Sequence, residues 1–263
     1  MNKRISADSG VVRPSREEQI RQAFFRVDRL HMGDDAYRAA VAALLEPLLQ
    51  SDAGEGDLTA QALGVSEGAA TAKVIAKEGG VAAGLDELRW LLTRAGIDVN
   101  LLKSDGATMQ SGDAVVELAG RRGDLLLHER TALNLLQRMC GIATMTQRLQ
   151  ERVRGRNSGT FLVATRKTPW GVLDKRAVVH GGGGTHRLSL SDAILVKNNH
   201  LALLAAREED AVATAVERAW AGRRSAAFVE IEVRSAESAV AAARAFRRVR
   251  AADPGSCPCL LSR

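Results

Sequence analysis

Residues 165–200 read TRKTPWGVLDKRAVVHGGGGTHRLSLSDAILVKNNH. The stretch gathers Arg166, Lys167, Lys175, His186, Arg187 and Lys197 around a run of four glycines at 181–184. That composition suits a multiply charged anion. Glycine lets backbone N–H groups approach phosphate closely, while Arg and Lys supply charge. A solvated basic loop has the same composition, and local chemistry alone does not separate the two.

The flanking segments place the cations. Residues 161–165 form a short apolar run that ends in Arg166-Lys167, and residues 193–196 form another that ends in Lys197-Asn198-Asn199-His200. Both read as strands. A helical pattern follows over 201–220, then a third strand in 226–233 (AAFVEIEV), then a helix over 235–250. Strands alternating with helices predict parallel βα units. In a βα barrel the reactive side chains stand at the C-terminal ends of the strands, where Arg166, Lys167 and Lys197 fall. Glu230 and Glu232 are two residues apart and share one face of the third strand. Carboxylates beside several cations fit a metal–phosphate site or an ion-pair network.

Upstream, the pattern is different. A capping box, Ser15 with Glu18, predicts a helix start. A second helix is expected over 35–50, with Ala39, Ala42, Ala43, Leu45 and Leu49 on the helical period. Residues 51–59 read as a loop. Residues 71–78, 99–103 and 114–118 read as strands, separated by a helix over 85–95 and by turns at Asp105-Gly106 and Ser111-Gly112-Asp113. Residues 125–153 keep a helical period, with a break or bend expected at Gly141. Arg130 and Asn134 share one face of that helix and can present donors to a ligand.

Bulk composition sets limits. A chain of 263 residues accommodates one or two domains. Aromatics make up 3%, so the core must be built from Ala, Leu and Val. The net charge of +6 fits an acidic small molecule or weak polyanion binding. Nucleic-acid binding is disfavoured, because no aromatic platform interleaves the basic residues. No apolar run approaches roughly 18 residues, so no membrane span is expected, and the first residues lack the apolar core of a secretory signal. Three cysteines make no disulfide framework, and a reducing cytoplasmic setting is the simplest. Cys257-Pro258-Cys259 lacks the further ligands a structural metal needs. The glycine run does not match the dinucleotide fingerprint GxGxxG.

Four separated motifs together resemble the quinolinate phosphoribosyltransferase (carboxylating nicotinate-nucleotide pyrophosphorylase) family: GEGDLT (54–59), HERTALNLLQRMCGIAT (128–144), the 165–200 block and VEIEV (229–233). The resemblance spans roughly residues 20–250. The block has PWGVLDK where many members have a longer proline-glycine-arginine version. The resemblance implies an α/β fold, with an N-terminal α+β sandwich domain followed by an open, incomplete α/β barrel. The expected divisions are a disordered tail at 1–14, the sandwich at 15–123 and the partial barrel at 124–263.

The implied reaction transfers the phosphoribosyl group of 5-phosphoribosyl-1-pyrophosphate to quinolinate and releases pyrophosphate and CO2, giving nicotinate mononucleotide on the route to NAD. By resemblance, Arg130, Arg166, Lys167, His186, Arg187, Lys197 and Glu232 bind substrate. Lys167, Lys197 and Glu232 serve the departing pyrophosphate, with Glu232 holding Mg²⁺, directly or through water, and Glu230 less firmly placed. The resemblance also implies a homodimer in which Arg130 reaches the neighbour's site.

Family members continue, after the helix matching 235–250, into a strand that ends in Leu-Asp-Asn and then into glycine-rich phosphate loops. This sequence ends PGSCPCLLSR. From the resemblance, two or three βα units are expected to be absent, with poor solubility and reduced activity. A non-catalytic homologue that binds a carboxylate ligand or a partner subunit, or a relative acting on nicotinate, remains open at this point.

Overall fold

The computed structural model describes residues 15–156, 159–205, 207–254 and 257–262. The tail expected to be disordered at 1–14 lies outside the described residues. Helix α1 (Arg16–Phe24) begins with the predicted capping box. The Glu18 amide donates to Ser15 Oγ at 3.2 Å and the Ser15 amide donates to Glu18 Oε2 at 2.6 Å. These bonds hold the Glu18 carboxyl below its ordinary value.

The chain packs as two compact units, residues 24–188 and a second that joins α1, as far as Ala23, to the residues from 189 onward. In the first, α2 (Asp35–Ala53) and α3 (Leu58–Leu63) are capped by Asp34 and Asp57, whose side chains accept from the amides of Tyr37 and Ala60. The predicted loop at 51–59 therefore shrinks to residues 54–57, because each helix has its own cap. Gly54 takes a positive φ and ends α2. The buried stripe of α2 is Tyr37, Val41 and Leu45, spaced by four, while Ala39 and Ala43 are exposed. The larger side chains win the inward face because burying them removes more apolar surface from water.

Strand β1 (Ala69–Ile75) is followed by β2 (Gly80–Val81), α4 (Leu85–Arg94), β3 (Asp98–Leu101), β4 (Thr108–Met109) and β5 (Ala114–Arg121). β5 is the centre of an antiparallel sheet ordered β1-β5-β3, and β2 pairs antiparallel with β4. Helix α4 stops where predicted, at Gly96 with φ 74°. Helix α5 (Arg122–Arg154) then runs unbroken through Gly141. The expected bend is absent because Met139 and Ala143, on either side of the exposed glycine, are fully buried and hold both turns in register. The buried face of α5 joins Val81, Leu85, Leu88 and Val116 in one core, which also takes in Leu173 and Ala177 of α6 (Val172–His180). This packing carries the first unit past the expected boundary at 123/124.

Beneath α6 lies a buried polar network. Arg176 Nε is 2.7 Å from Glu87 Oε1, and its NH2 lies 2.9 Å from Asp86 Oδ2 and 3.3 Å from Asp105 Oδ2. Arg176 also donates to the Leu30 carbonyl, and Tyr37 donates its hydroxyl to Glu87 at 2.7 Å. Glu87 is fully buried, and burial pushes its carboxyl up against the opposing pull of Arg176. His180 stands beside the network, its Nε2 3.8 Å from Asp105 Oδ2. Burial pushes its imidazole below the ordinary value, outweighing the Asp105 carboxylate.

A depressed folded value means that the unfolded chain takes up the proton first as pH falls. Stability from this group is complete above the ordinary histidine value of about 6.5 and is lost as pH drops through the folded value. The urea midpoint is expected to fall between about pH 7.5 and 5.5, and to fall less steeply in His180→Gln. Equal slopes for the two proteins would contradict the assignment.

The second unit is the βα repeat: β6 (Ile194–Val196), α7 (Asn198–Ala202), α8 (Glu208–Ala221), β7 (Val229–Glu232), α9 (Ala236–Ala252) and β8 (Cys259–Ser262). The three strands are parallel, in the order β6-β7-β8. The single helix expected over 201–220 is two. Glu208, Glu209 and Asp210 form the first turn of α8, where negative charge complements the amino end of the helix dipole. Ser235 caps α9 by accepting from the Ser238 amide at 3.0 Å. Val212, Val216, Trp220, Val229, Ile231 and Phe246 form this unit's core. Burial pushes the Cys259 thiol up to about 11, so it is protonated at neutral pH.

Candidate functional site

Residues 161–165, expected as a strand, make only one parallel bridge, Val163 to Gly184. Side chains replace the rest of the ladder. Gln150 of α5 accepts from the Leu162 amide at 2.7 Å and donates to the Thr160 carbonyl at 3.1 Å. Lys175 of α6 donates to the Ala164 carbonyl at 3.2 Å and to the Thr185 carbonyl at 2.6 Å. The bridge and this lysine bring together the two segments that carry Arg166-Lys167 and His186-Arg187.

Arg166 and Lys167 are exposed on the loop that follows. The loop is held from its far side. Thr168 donates its hydroxyl to Asp174 and accepts from the Trp170 amide at 3.2 Å. Asp174 in turn accepts two hydrogen bonds from Arg138 of α5, at 2.8 and 2.7 Å, and the Arg138 guanidinium lies 4.9 Å from the Trp170 ring centroid.

Among the described non-glycine residues, His186 alone has a positive φ, 50°. That conformation is costly for a side chain other than glycine and persists where neighbours enforce it. Here Thr185 is pinned: its amide donates to the Phe24 carbonyl at 2.5 Å and its hydroxyl accepts from the Arg26 amide at 3.3 Å. The His186 ring packs 5.3 Å from the ring of Phe24, and Arg187 is buried.

The glycine run has a packing role that the sequence reading did not anticipate. Gly181, Gly183 and Gly184 are buried. A Cβ on Gly181 would lie 2.3 Å from the Ala143 carbonyl oxygen, and one on Gly184 2.9 Å from that of Phe24. These glycines let the chain pass against α5 and the Phe24 backbone. Only Gly182 is exposed, in a turn with φ 83°. Gly181→Ala is expected to cost about 2–3 kcal/mol, as overpacking against a backbone atom does, whereas Gly182 tolerates bulk but resists the φ. Equilibrium urea unfolding measures the Gly181→Ala loss, and a change below about 0.5 kcal/mol would contradict the close-packing account.

In the second unit, Lys197 directly follows β6 and keeps an extended backbone. Val196 pairs with Ile231, so the register puts Lys197 level with Glu232, the last residue of β7. Adjacent strands lie about 4.8 Å apart, which makes the two residues backbone neighbours at the C-terminal end of the sheet. Glu232 is half-buried and Glu230 buried. Mg²⁺ takes oxygen ligands and is commonly held by one or two carboxylates, with waters and substrate phosphates completing its shell. Glu232 fits that pattern. Among the described residues no three acidic, His or Cys side chains converge as a cage, so the shell would be completed by waters or phosphates. Arg130 stands on the exposed face of α5 with Asn134.

Thr168, Asp174 and Arg138 carry no local signal of their role, and Lys175 reads in the sequence only as one more cation. The single available signal was Asp174-Lys175 sitting between the two cation pairs.

The fold is that of an α/β protein that carries paired cations on its strand and loop ends. The quinolinate phosphoribosyl transferase N-terminal domain matches residues 57–140 and the C-terminal domain of the same enzymes matches residues 142–252. The chain is 36% identical over 204 residues to the probable carboxylating nicotinate-nucleotide pyrophosphorylase of Methanothermobacter thermautotrophicus, covering 77% of this chain and 71% of the relative. It is 41% identical over 175 residues to that of Archaeoglobus fulgidus, covering 65% and 64%. The nicotinate-nucleotide pyrophosphorylase structure from Francisella tularensis superposes with a TM-score of 0.71 at 28% identity, covering 85% of this chain and 83% of that one. NadC from Streptococcus pyogenes gives 0.68 at 30% identity, with the same coverage. The chain belongs to the quinolinate phosphoribosyltransferase family. It spans about two thirds of the length of these two sequence relatives.

Proposed function

We propose that this chain transfers the phosphoribosyl group of 5-phosphoribosyl-1-pyrophosphate to quinolinate with decarboxylation, yielding nicotinate mononucleotide, pyrophosphate and CO2. The observation that carries this reading is the joining of Arg166-Lys167 to His186-Arg187 through one backbone bridge and one buried lysine. Two separate groups of donors suit a ligand with two carboxylates, and guanidinium pairs with carboxylate in a bidentate fork.

In the reaction the ring nitrogen's lone pair forms the bond to ribose C1 while the bond from C1 to the pyrophosphate oxygen breaks. The carboxylate next to the nitrogen then leaves as CO2. Its electron pair stays on the ring carbon, stabilised by the adjacent positive nitrogen, and is protonated there. Arg166, Arg187 and His186 hold the dicarboxylate against the ribose carbon. Lys197 and Lys167 neutralise charge on the departing pyrophosphate, which is where preorganised cations contribute most to rate. Glu232 is assigned Mg²⁺, through water or directly, and the ion supplies charge neutralisation at the pyrophosphate. Arg130 is assigned to a neighbouring subunit's site in a homodimer, consistent with its exposure on α5.

Titration calorimetry separates this from a nicotinate-specific relative. Quinolinate is expected to bind at least about tenfold more tightly than nicotinate, since a second paired carboxylate adds more than 1.4 kcal/mol. Equal affinities, or preference for nicotinate, would overturn the dicarboxylate assignment.

A further inference from the structure

We propose that Lys175, together with its neighbour Asp174, is a positioning residue that sets the separation of the two cation pairs and so the spacing of carboxylates the site accepts. The inference rests on the dicarboxylate reading above. Helix α6 carries both residues and lies in sequence between the pairs. Lys175 is 1% exposed, yet its ammonium reaches two backbone carbonyls, Ala164 at 3.2 Å and Thr185 at 2.6 Å. Ala164 lies two residues before Arg166, and Thr185 directly precedes His186. One nitrogen thus ties both segments at the point where each turns into its cation pair.

Burying an ammonium group is expensive even after relaxation, and an apolar side chain of the same length would fill the volume without that cost. What the lysine adds is direction, since its N–H bonds hold two carbonyls at a fixed separation. Asp174, one residue earlier, makes a separate attachment. It is also buried, and it fastens the loop bearing Arg166 and Lys167 to α5 through Thr168 and Arg138. The loop is gripped from both sides, and neither grip uses a residue assigned to touch substrate.

The test is calorimetry of the 263-residue chain with quinolinate and, separately, with inorganic pyrophosphate, alongside thermal melting. Lys175→Met is expected to weaken quinolinate about tenfold or more, because small misplacement of paired donors is costly, while pyrophosphate changes by less than about threefold. Thr168→Val, which removes the hydroxyl's bonds to Asp174 and to the Trp170 amide at a half-buried position, is expected to weaken quinolinate about threefold to tenfold. Unchanged quinolinate affinity in Lys175→Met overturns the proposal, as does an equal loss of both ligands, which would mark the lysine as merely structural. If Lys175→Met does not fold, Thr168→Val decides: unchanged quinolinate affinity there overturns it. An unaltered chain that binds pyrophosphate but not quinolinate removes the functional reading itself, an outcome seen without any variant.

Discussion

Arg176→Met is expected to destabilise the first unit by about 3–5 kcal/mol, the usual penalty for removing one partner of a buried ion pair. The side chain of Arg176 is 7% exposed, and that of Glu87, its closest ion-pair partner, is 0% exposed. Without the guanidinium, Glu87 keeps the Tyr37 hydroxyl, whereas Asp105 keeps the Leu85 and Asp86 amides and the partly exposed His180. Methionine replaces most of the lost volume, so the effect reports charge more than cavity. The double variant Arg176→Met with Glu87→Gln should recover part of the loss, because a neutral amide tolerates the dry site better than a carboxylate. Equilibrium unfolding in urea measures both. A loss below about 1 kcal/mol for the single variant would mean that water or a rearranged network already serves Glu87.

The second large effect concerns chemistry without stability. Arg166 is exposed on a loop that is held by other residues, so Arg166→Ala should leave the urea midpoint nearly unchanged, within about 0.5 kcal/mol. In the proposed site its removal would take away charge-assisted hydrogen bonds to a substrate carboxylate, each worth about 1.5–3 kcal/mol. kcat/KM for quinolinate is therefore expected to fall about 100-fold, the equivalent of roughly 2.8 kcal/mol. Arg166→Lys should recover little of it, since a point charge cannot reproduce the planar fork. Wild-type kcat/KM in Arg166→Ala would remove this residue from the substrate assignment.

The sequence made the class legible where local rules and packing agree. The βα rhythm after residue 190, the capping box at Ser15 and the stop of α4 at Gly96 all depend on neighbours in the chain. The less legible parts depend on distant partners. The 161–165 segment lost its strand because Gln150 and Lys175 satisfy its backbone from two helices. Gly181–Gly184 looked like a phosphate cradle because spacing says nothing of the Ala143 and Phe24 carbonyls that crowd them. Lys175 looked like one more surface cation, since nothing in a single sequence distinguishes a buried lysine from a solvated one. The cation pairs themselves were visible as residues, but what joins them was not.

Release of labelled CO2 from quinolinate labelled in the carboxyl group next to the ring nitrogen tests the central claim most directly. The account predicts release that requires 5-phosphoribosyl-1-pyrophosphate, matches pyrophosphate one for one and falls away in Arg166→Ala. CO2 release without the phosphoribosyl donor, or pyrophosphate release without CO2, would contradict it.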